Sequence, residues 1–302
     1  MKFFDPGLGR AYRHNTQRVI NKDGTFNIRR TGIRKQPYQS MLRMSATRFF
    51  TMMVLWYLAV NIAFSLVYLL IGVEHLEISS SQININPFLK ALFFSMQTFT
   101  TVGFGSIFPT DPLSNFVSGM EAMAGWIFFA LATGLVYGRF SRPSARILFS
   151  NNALISPYQD GKALMFRIVN RRPNILMEMD AKVMLTMDVD LGKEVVRRYY
   201  NLKLETSSIH FFPLSWTLVH PLDESSPFHG LSKEELAKRN AEVLILIKGF
   251  DDTFSQHVHV RFSYVVDEIV WNARFIRNFY ADEEGLINLD IDRVHEYEKL
   301  ND

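Results

Sequence analysis

Two long stretches without charged residues limit what this chain can fold into. Residues 49–73 contain no Asp, Glu, Lys, Arg or His, and residues 112–138 contain Glu121 as their only charge. A helix of that length, at about 1.5 Å per residue, crosses a hydrocarbon core of about 30 Å. We therefore predict two transmembrane helices. The first stretch follows a long polar segment and has no small-residue cleavage site, which argues against a signal peptide.

The charges beside these stretches predict their orientation. Residues 1–48 carry 11 Lys and Arg against two acids, and the 74–111 connection carries three acids against one Lys. Because Lys and Arg are enriched in cytoplasmic flanks, we expect both termini in the cytoplasm and a multi-pass protein of the cell (inner) membrane. The formal net charge of +3 then reflects topology. No nucleic-acid-binding motif accompanies it, so no nucleic-acid partner is expected.

The chain outside the spans divides into an arm and a domain. Residues 1–36 are expected to form an extended cytoplasmic arm with a turn at Lys22-Asp23-Gly24. From Pro37 to Phe49 the apolar spacing indicates an amphipathic helix along the inner membrane surface, or else a plain leader to the first span. We assign 37–140 to this helix and the transmembrane pore domain, and 141–302 to a cytoplasmic domain. Residues 147–302 carry 18 basic and 24 acidic residues.

The cytoplasmic domain has the period-two pattern of an all-β fold. Short segments that alternate apolar and polar residues, separated by turn residues, predict an antiparallel β-sandwich. One short helix is expected at 232–240, opened by a capping box of Ser232 and Glu235. The predicted strands are 163–170, 180–190, 195–204, 209–220, 242–250, 255–265, 268–280 and 286–297.

A half-length helix and a glycine-containing loop lie between the spans. Residues 88–98 are long enough for three helical turns but too short to cross the bilayer, and the sequence TVGFG follows at 101–105. Irregular backbone at membrane depth is tolerated only where it is buried in protein or lines a watery cavity. Alternating glycines allow successive carbonyls to face one axis, where they replace the hydration shell of K+. Potassium channels use the loop TVGYG in this way.

In that geometry the loop residues have separate roles. The carbonyls of Thr101, Val102, Gly103 and Phe104, with the Thr101 hydroxyl, supply oxygens for K+, and Gly105 completes the selectivity filter. The side chains of Val102 and Phe104 are expected to pack outward. Each chain supplies one loop, which implies a homotetramer. No cofactor and no metal site other than K+ at the filter are expected.

These features are similar to the inward-rectifier potassium channel family, and more closely to its bacterial branch. The motifs that carry the resemblance are TTVGFG, Arg139-Phe-Ser-Arg142-Pro143, Leu148-Phe149-Ser150, Ser215-Trp-Thr-Leu-Val-His220, Asp223-Glu-Ser-Ser-Pro227 and Asp267-Glu-Ile-Val-Trp271. The resemblance implies a tetramer, an immunoglobulin-like cytoplasmic sandwich that extends the pore inwards, and regulation by anionic lipids or phosphoinositides of open identity and sign.

The resemblance also gives roles to residues of the second span. Phe129 stands where strongly rectifying members have an acid, so block by Mg2+ or polyamines is expected to be weak. Phe129, Thr133 and Tyr137 recur every four residues and share one helix face. By resemblance this face lines the pore, and Phe129 and Tyr137 form a hydrophobic gate, although aromatic residues at this spacing also occur in ordinary packing.

Three further groups of residues are candidates for functional roles, and the first and the last also have an alternative explanation. Glu121 is expected behind the filter, either with a functional role or as a hydrogen-bonded structural group. A second constriction is expected by resemblance around Lys248, Gly249 and Phe250, where Lys248 replaces the usual acid. The lipid-binding candidates are also explained by the charge rule for topology, and they are Arg48, Arg139, Arg142 and Arg146.

The sequence favours a potassium channel over two other classes of protein. It has no Cys, which excludes thiol catalysis and Cys-based metal sites. It also lacks a nucleophile motif and a phosphate-binding loop, so we do not expect an enzyme. The competing hypothesis is a non-conducting membrane-anchored sensor whose β-sandwich binds a ligand or partner.

Overall fold

The computed structural model describes residues 5–8, 18–29, 31–32, 36–79, 85–141, 146–192 and 194–300. These residues form two compact units. One comprises Gly32–Arg142, and the other combines Met1–Thr31 with Pro143–Asp302. We call the first the membrane unit and the second the sandwich unit.

Helices dominate the membrane unit. Its helices α2 and α4 are long and apolar enough to cross a membrane. Many of their large apolar side chains are exposed in the single chain, as expected for surfaces that face lipid or another chain. In chain order its elements are α1 (Pro37–Arg43), α2 (Ala46–Ile71), β1 (Leu76–Ile78), α3 (Pro87–Phe99), β2 (Ile107–Pro109) and α4 (Pro112–Phe140).

Capping residues decide where the two long helices begin. The Ser45 side chain accepts a hydrogen bond from the Arg48 backbone N–H and starts α2. The Asp111 carboxylate accepts hydrogen bonds from the backbone N–H groups of Leu113 and Ser114 and starts α4, whose first residue is Pro112. The predicted spans differ from these helices by at most three residues at either end, because the absence of charge alone does not reveal a cap.

The predicted helix from Pro37 to Phe49 is interrupted in the structure. α1 ends at Arg43, and Met44 has an extended backbone with ψ of 161°. The interruption arises because Ser45 caps α2, and a capping residue is itself non-helical. On α1, Leu42 is buried beside Gly138 of α4, where an added Cβ would lie 3.4 Å from the Leu42 side chain.

A small apolar cluster holds α3 against α2. The Tyr68 ring of α2 and the Phe94 ring of α3 meet edge to face, with centroids 5.0 Å apart. Ala91, Leu76 and Ile107 complete this cluster. The strands β1 and β2 pair in antiparallel register, so the chain on both sides of the TVGFG loop is tied to the rest of the unit.

The sandwich unit contains the remaining strands and one short helix. Its elements are β3 (Ile147–Phe149), β4 (Ala153–Tyr158), β5 (Gly161–Asn170), β6 (Leu176–Asp190), β7 (Val195–Leu202), β8 (Ser208–Phe211), β9 (Ser215–Pro221), α5 (Lys233–Lys238), β10 (Glu242–Asp251), β11 (Gln256–Val265), β12 (Ile269–Trp271), β13 (Ala273–Phe275), β14 (Phe279–Ala281), β15 (Ile287–Leu289) and β16 (Tyr297–Lys299).

Two five-stranded sheets share one apolar core. The first has the order β11–β10–β6–β7 with β8 also paired to β6, and the second has the order β12–β4–β5–β3 with β9 paired to β5. Phe149 of the second sheet stacks on Phe262 of the first, with ring centroids 4.5 Å apart. Phe166 and Tyr264 meet across the same core at 5.7 Å. This is a sandwich, as the period-two pattern predicted.

Three predicted strands are broken into shorter pieces. The 209–220 segment is split around Pro213, because proline has no N–H to donate to a ladder. The 268–280 segment is interrupted at Asn272, which has φ of 54°. The 286–297 segment contains a 3-10 turn at Asp292–His295. The predicted capping box of Ser232 and Glu235 is present and opens α5.

Part of the N-terminal arm packs on the sandwich unit. Val19 and Ile20 are buried, and the Val19 N–H donates to the buried Glu242 carboxylate at 2.8 Å. The Arg18 side chain pairs with Glu268. The predicted turn at Lys22-Asp23-Gly24 is present. The arm was predicted only as extended chain, since these contacts join residues more than 200 positions apart in the sequence.

Candidate functional site

The TVGFG loop follows α3 and has an alternating backbone. The dihedral φ is 58° at Thr101, 55° at Gly103 and 72° at Gly105. Val102 and Phe104 between them are not among the residues with positive φ. Alternation of left- and right-handed conformations turns successive peptide groups the same way, so N–H groups face one side and carbonyls face the other. The positive φ at 101, 103 and 105 is compatible with such a row of carbonyl oxygens along the loop.

Hydrogen bonds fix this loop on both sides. The Gln97 carbonyl accepts from the N–H groups of 102–103 at 3.0 and 3.2 Å. The Gln97 side-chain amide donates to the Ile107 carbonyl at 2.6 Å. At the other end of the loop, the Ser79 hydroxyl donates to the Gly105 carbonyl at 2.8 Å. Gln97 and Ser79 therefore hold the two ends of the loop.

The side chains of the loop are uncovered in the single chain. Phe104 is 80% exposed and Val102 is 55% exposed. Large apolar side chains at such exposure are normally covered in the functional protein. Within the described residues, one copy of the chain therefore does not cover these two side chains.

Glu121 is fully buried inside the membrane unit. The Tyr68 hydroxyl donates to one of its carboxylate oxygens at 2.6 Å, and the Ser95 hydroxyl donates to the other. Tyr68 lies in α2 and Ser95 lies in α3, so this carboxylate of α4 joins three helices. Ser95 lies in the half of α3 that leads into the filter loop.

The three predicted pore-lining residues of α4 are all exposed in the single chain. Phe129 and Tyr137 are 44% and 72% exposed, and Thr133 between them is also exposed. The neighbouring Phe128 instead stacks on Trp56 of α2, with centroids 5.4 Å apart. The Phe129 ring also contacts the rings of Phe99 and Phe128, with centroids 6.4 and 5.6 Å apart. Phe129 is therefore partly covered within the chain, whereas Thr133 and Tyr137 on the same face remain exposed.

The four basic candidates lie in different environments. Arg48 and Arg146 are exposed, and Arg142 lies outside the described residues. Arg139 is already engaged within the membrane unit. One of its guanidinium nitrogens donates to the carbonyls of Met41 and Met44 at 2.8 and 2.9 Å, and the guanidinium lies 4.7 Å from the centre of the Phe49 ring.

The residues of the predicted cytoplasmic constriction lie where β10 faces a bulge in β6. The register of β10 against β6 shifts between Lys248 and Phe250, and Gly249 is covered so closely by Met179 that a Cβ would overlap its sulfur. The Phe250 ring meets the His257 ring edge to face at 5.5 Å. The extra residue of this bulge is in β6, because two steps along β10 from Lys248 to Phe250 oppose three steps along β6. β10 itself keeps a regular register with β11.

Some residues of the site were not predicted from the sequence. Gln97, Ser79, Ser95 and Tyr68 have no motif of their own and act through partners distant along the chain. The one available signal was Glu121, because a lone acid in a membrane span needs hydrogen-bond donors nearby. It indicated that polar partners exist but not which residues they are.

Known channels match both units of the chain. Residues 147–302 match the family described as inward rectifier potassium channel C-terminal domain, and residues 51–142 match the family described as ion channel. The chain is 36% identical over 288 residues to the inward rectifier potassium channel Kirbac3.1 of Paramagnetospirillum magnetotacticum, covering 92% of this chain and 95% of that relative.

Two vertebrate channels match more distantly. The ATP-sensitive inward rectifier potassium channel 12 of Gallus gallus is 25% identical, covering 97% of this chain and 74% of the relative. The G protein-activated inward rectifier potassium channel 3 of Mus musculus is 27% identical, covering 97% and 81%. These matches confirm the predicted architecture, which is two candidate membrane spans followed by a β-rich domain. They also confirm that the chain belongs with ion channels and not with enzymes. The chain therefore belongs to the inward rectifier potassium channel family.

Proposed function

We propose that this protein is a potassium-selective channel that lets K+ pass down its gradient across the membrane. The observation that carries the proposal is the alternating backbone of the TVGFG loop, with positive φ at Thr101, Gly103 and Gly105. This geometry aims the carbonyls of 101–104 in one direction, and the exposed Val102 and Phe104 side chains pack outward. The carbonyls replace the hydration shell of K+ as the ion enters.

The filter is completed by four copies of the chain around one axis. A single chain supplies one loop, and one row of carbonyls cannot surround an ion. The exposed apolar faces of α2 and α4 provide surface for contacts between copies and for lipid. The chain matches 95% of the length of the bacterial inward rectifier potassium channel Kirbac3.1, which supports the proposed channel.

The inner part of α4 serves as the gate. Phe129, Thr133 and Tyr137 share a face that the single chain leaves open, so four copies would bring their rings to the axis. Aromatic rings in a narrow passage exclude water and block ions until the helices separate. The absence of an acid at Phe129 leaves Mg2+ and polyamines weakly bound. Lys248, Gly249 and Phe250 form a second, cytoplasmic constriction.

Anionic lipids of the inner leaflet, including phosphoinositides, modulate this gate. With both termini in the cytoplasm, the exposed side chain of Arg48 at the start of α2 lies near that leaflet, and Arg142 and Arg146 remain candidates from the sequence. Each such charge contributes about 1 kcal/mol of attraction to an anionic surface. Arg139 contributes less directly, because its guanidinium is bonded to the end of α1.

A flux assay tests the proposal against the non-conducting sensor. Purified protein is reconstituted into liposomes, with and without anionic lipid, and Ba2+-sensitive uptake of Rb+ is measured. The channel predicts uptake that Ba2+ abolishes and that changes with the anionic lipid content. Absence of uptake under every lipid condition would favour the sensor, whose β-sandwich would then be the functional part.

A further inference from the structure

The Glu121 carboxylate is the centre of a buried polar cluster that joins the three long helical segments of the membrane unit. Glu121 and Ser95 are fully buried, and Tyr68 is 1% exposed. Each carboxylate oxygen of Glu121 accepts from one hydroxyl, Tyr68 on one side and Ser95 on the other. A carboxylate buried at this depth is tolerated only when such donors are in place.

Asn61 adds a fourth member on α2. Its backbone carbonyl and side-chain oxygen lie 3.2 and 3.1 Å from the Ser95 hydroxyl, and its amide donates to the Tyr57 carbonyl at 2.8 Å. Ser95 is thus surrounded by acceptors from both α2 and α4. The Ser95 hydroxyl reaches these acceptors only when α3 has one particular axial position relative to α2 and α4.

α3 and α4 make two contacts with each other, and these contacts are four residues apart on both helices. Ser95 meets Glu121, and one turn further along each helix the Phe99 main chain meets Gly125. Between these two contacts lies Gln97, whose carbonyl holds the N–H groups of 102–103. Any shift of α3 against α4 therefore moves the acceptor that fixes the filter backbone.

We propose that Glu121 is a positioning residue for the selectivity filter, acting through the hydroxyls of Ser95 and Tyr68. The carboxylate sets the height of α3 between α2 and α4, and α3 in turn sets the directions of the filter carbonyls. This inference rests on the proposed function, because the filter must conduct for its geometry to matter. It assigns the discrimination between K+ and Na+ in part to a group that touches neither ion.

The test compares ion selectivity in the full-length channel and in three variants. Glu121→Gln keeps the size of the side chain but replaces one acceptor oxygen by a donor, while Ser95→Ala and Tyr68→Phe each remove one hydroxyl. The K+/Na+ permeability ratio is taken from reversal potentials in planar bilayers. Loss of a hydrogen bond to a charged group predicts a fall of about tenfold for Glu121→Gln and about threefold for each hydroxyl variant.

Two control variants each remove a hydroxyl group from the membrane unit and leave the hydrogen bonds to Glu121 intact. Tyr57 packs its ring on Phe99 of α3 at 5.8 Å, so Tyr57→Phe removes a hydroxyl from the same helix contact. Among the described residues, the Ser118 hydroxyl bonds to the Asn115 carbonyl of its own helix and to no other helix, so Ser118→Ala is the control for Ser95→Ala. Both controls should keep the ratio of the unmodified channel.

The outcomes separate this inference from the proposed function. A double variant, Ser95→Ala with Glu121→Gln, should show no greater loss than Glu121→Gln alone, because both act through one bond. An unchanged ratio in Glu121→Gln would overturn the inference while the channel itself conducts. If Glu121→Gln fails to assemble, an unchanged ratio in both Ser95→Ala and Tyr68→Phe would overturn it. An unmodified protein that does not conduct would overturn the proposed function and this inference with it.

Discussion

Gly125 of α4 lies directly against the main chain of Phe99, the last residue of α3. A Cβ added to Gly125 would overlap the Phe99 carbonyl oxygen and would lie 2.9 Å from its carbonyl carbon and 3.2 Å from its Cα. These atoms are backbone and cannot rotate away as a side chain would. α4 and the end of α3 are therefore in contact next to the start of the TVGFG loop.

The first prediction concerns this contact. Gly125→Ala should push α3 away from α4 and reduce K+ flux, with a cost in stability of about 1–3 kcal/mol for overpacking. Thermal unfolding and Rb+ uptake measure the two effects. Gly119→Ala on the same helix is the control, since no atom lies within 4 Å of an added Cβ there, and alanine favours a helix by about 1 kcal/mol. Equal behaviour of the two variants would contradict the close packing.

The second prediction concerns block by polyamines. Phe129→Asp should produce steep voltage-dependent block by internal spermine, because a carboxylate on the open face of α4 attracts cations in a poorly screened passage. The increase in affinity should be about tenfold or more. Phe129→Asn has nearly the same size without the charge and should keep the weak block. Similar block in the Asp and Asn variants would show that Phe129 does not line the pore.

The third prediction separates the two roles of Arg139. One nitrogen of the Arg139 guanidinium donates to two carbonyls at the end of α1. Arg139→Lys keeps the charge but loses the planar group that lies 4.7 Å from the centre of the Phe49 ring. We expect Arg139→Lys to lower the thermal stability of the channel by about 1 kcal/mol even in neutral detergent. Arg48→Gln should leave that stability unchanged and weaken the response to anionic lipid. Unchanged thermal stability of Arg139→Lys would contradict a stabilising role for the contacts of Arg139 with the end of α1.

The fourth prediction concerns pH. Burial lowers the pKa of His220 below its usual range, since the ring is enclosed between the Lys203 carbonyl and the Ser226 hydroxyl at 2.7 and 2.9 Å. A carbonyl only accepts, so Nδ1 carries the proton and the folded protein favours the neutral ring. The stability from His220 is present above about pH 6.5 and is lost as the pH falls towards the folded-state pKa.

Hydrogen exchange of the β9 amides in the full-length channel measures this effect. Between about pH 6.5 and pH 5 the protection should fall by up to about 1 kcal/mol per pH unit, after correction for the intrinsic exchange rate. The variant His220→Gln should remove this dependence on pH. His229 is exposed, and His229→Gln should leave it unchanged. A pH dependence that survives in His220→Gln would assign it to another group.

The sequence predicted the features that are local in the chain. The spans depend on an uninterrupted run of apolar residues, and the loop at Thr101–Gly105 depends on five adjacent residues, so both are visible without a partner. The capping box of Ser232 and Glu235 has the same local character. The sandwich followed from period two, although the breaks at Pro213 and Asn272 were not anticipated.

The contacts between distant segments could not be predicted in this way. Tyr68 is 53 positions from Glu121, and Ser95 is 26 positions from it. Val19 is 223 positions from Glu242, whose carboxylate accepts a hydrogen bond from the Val19 N–H. Arg139 binds the carbonyls at the end of α1. Ser45 determines where α1 ends, because it caps the start of α2. Each of these pairings requires the packed fold and not a sequence pattern.

The most direct test of the channel is the reversal potential of single-channel currents with K+ on one side of a planar bilayer and Na+ on the other. The unmodified protein should be strongly selective for K+. Gly103→Ala should lose selectivity or current, because alanine in the left-handed region costs about 1–2 kcal/mol in each subunit. Currents that do not distinguish K+ from Na+ in the unmodified protein, or selectivity that persists in Gly103→Ala, would contradict the account.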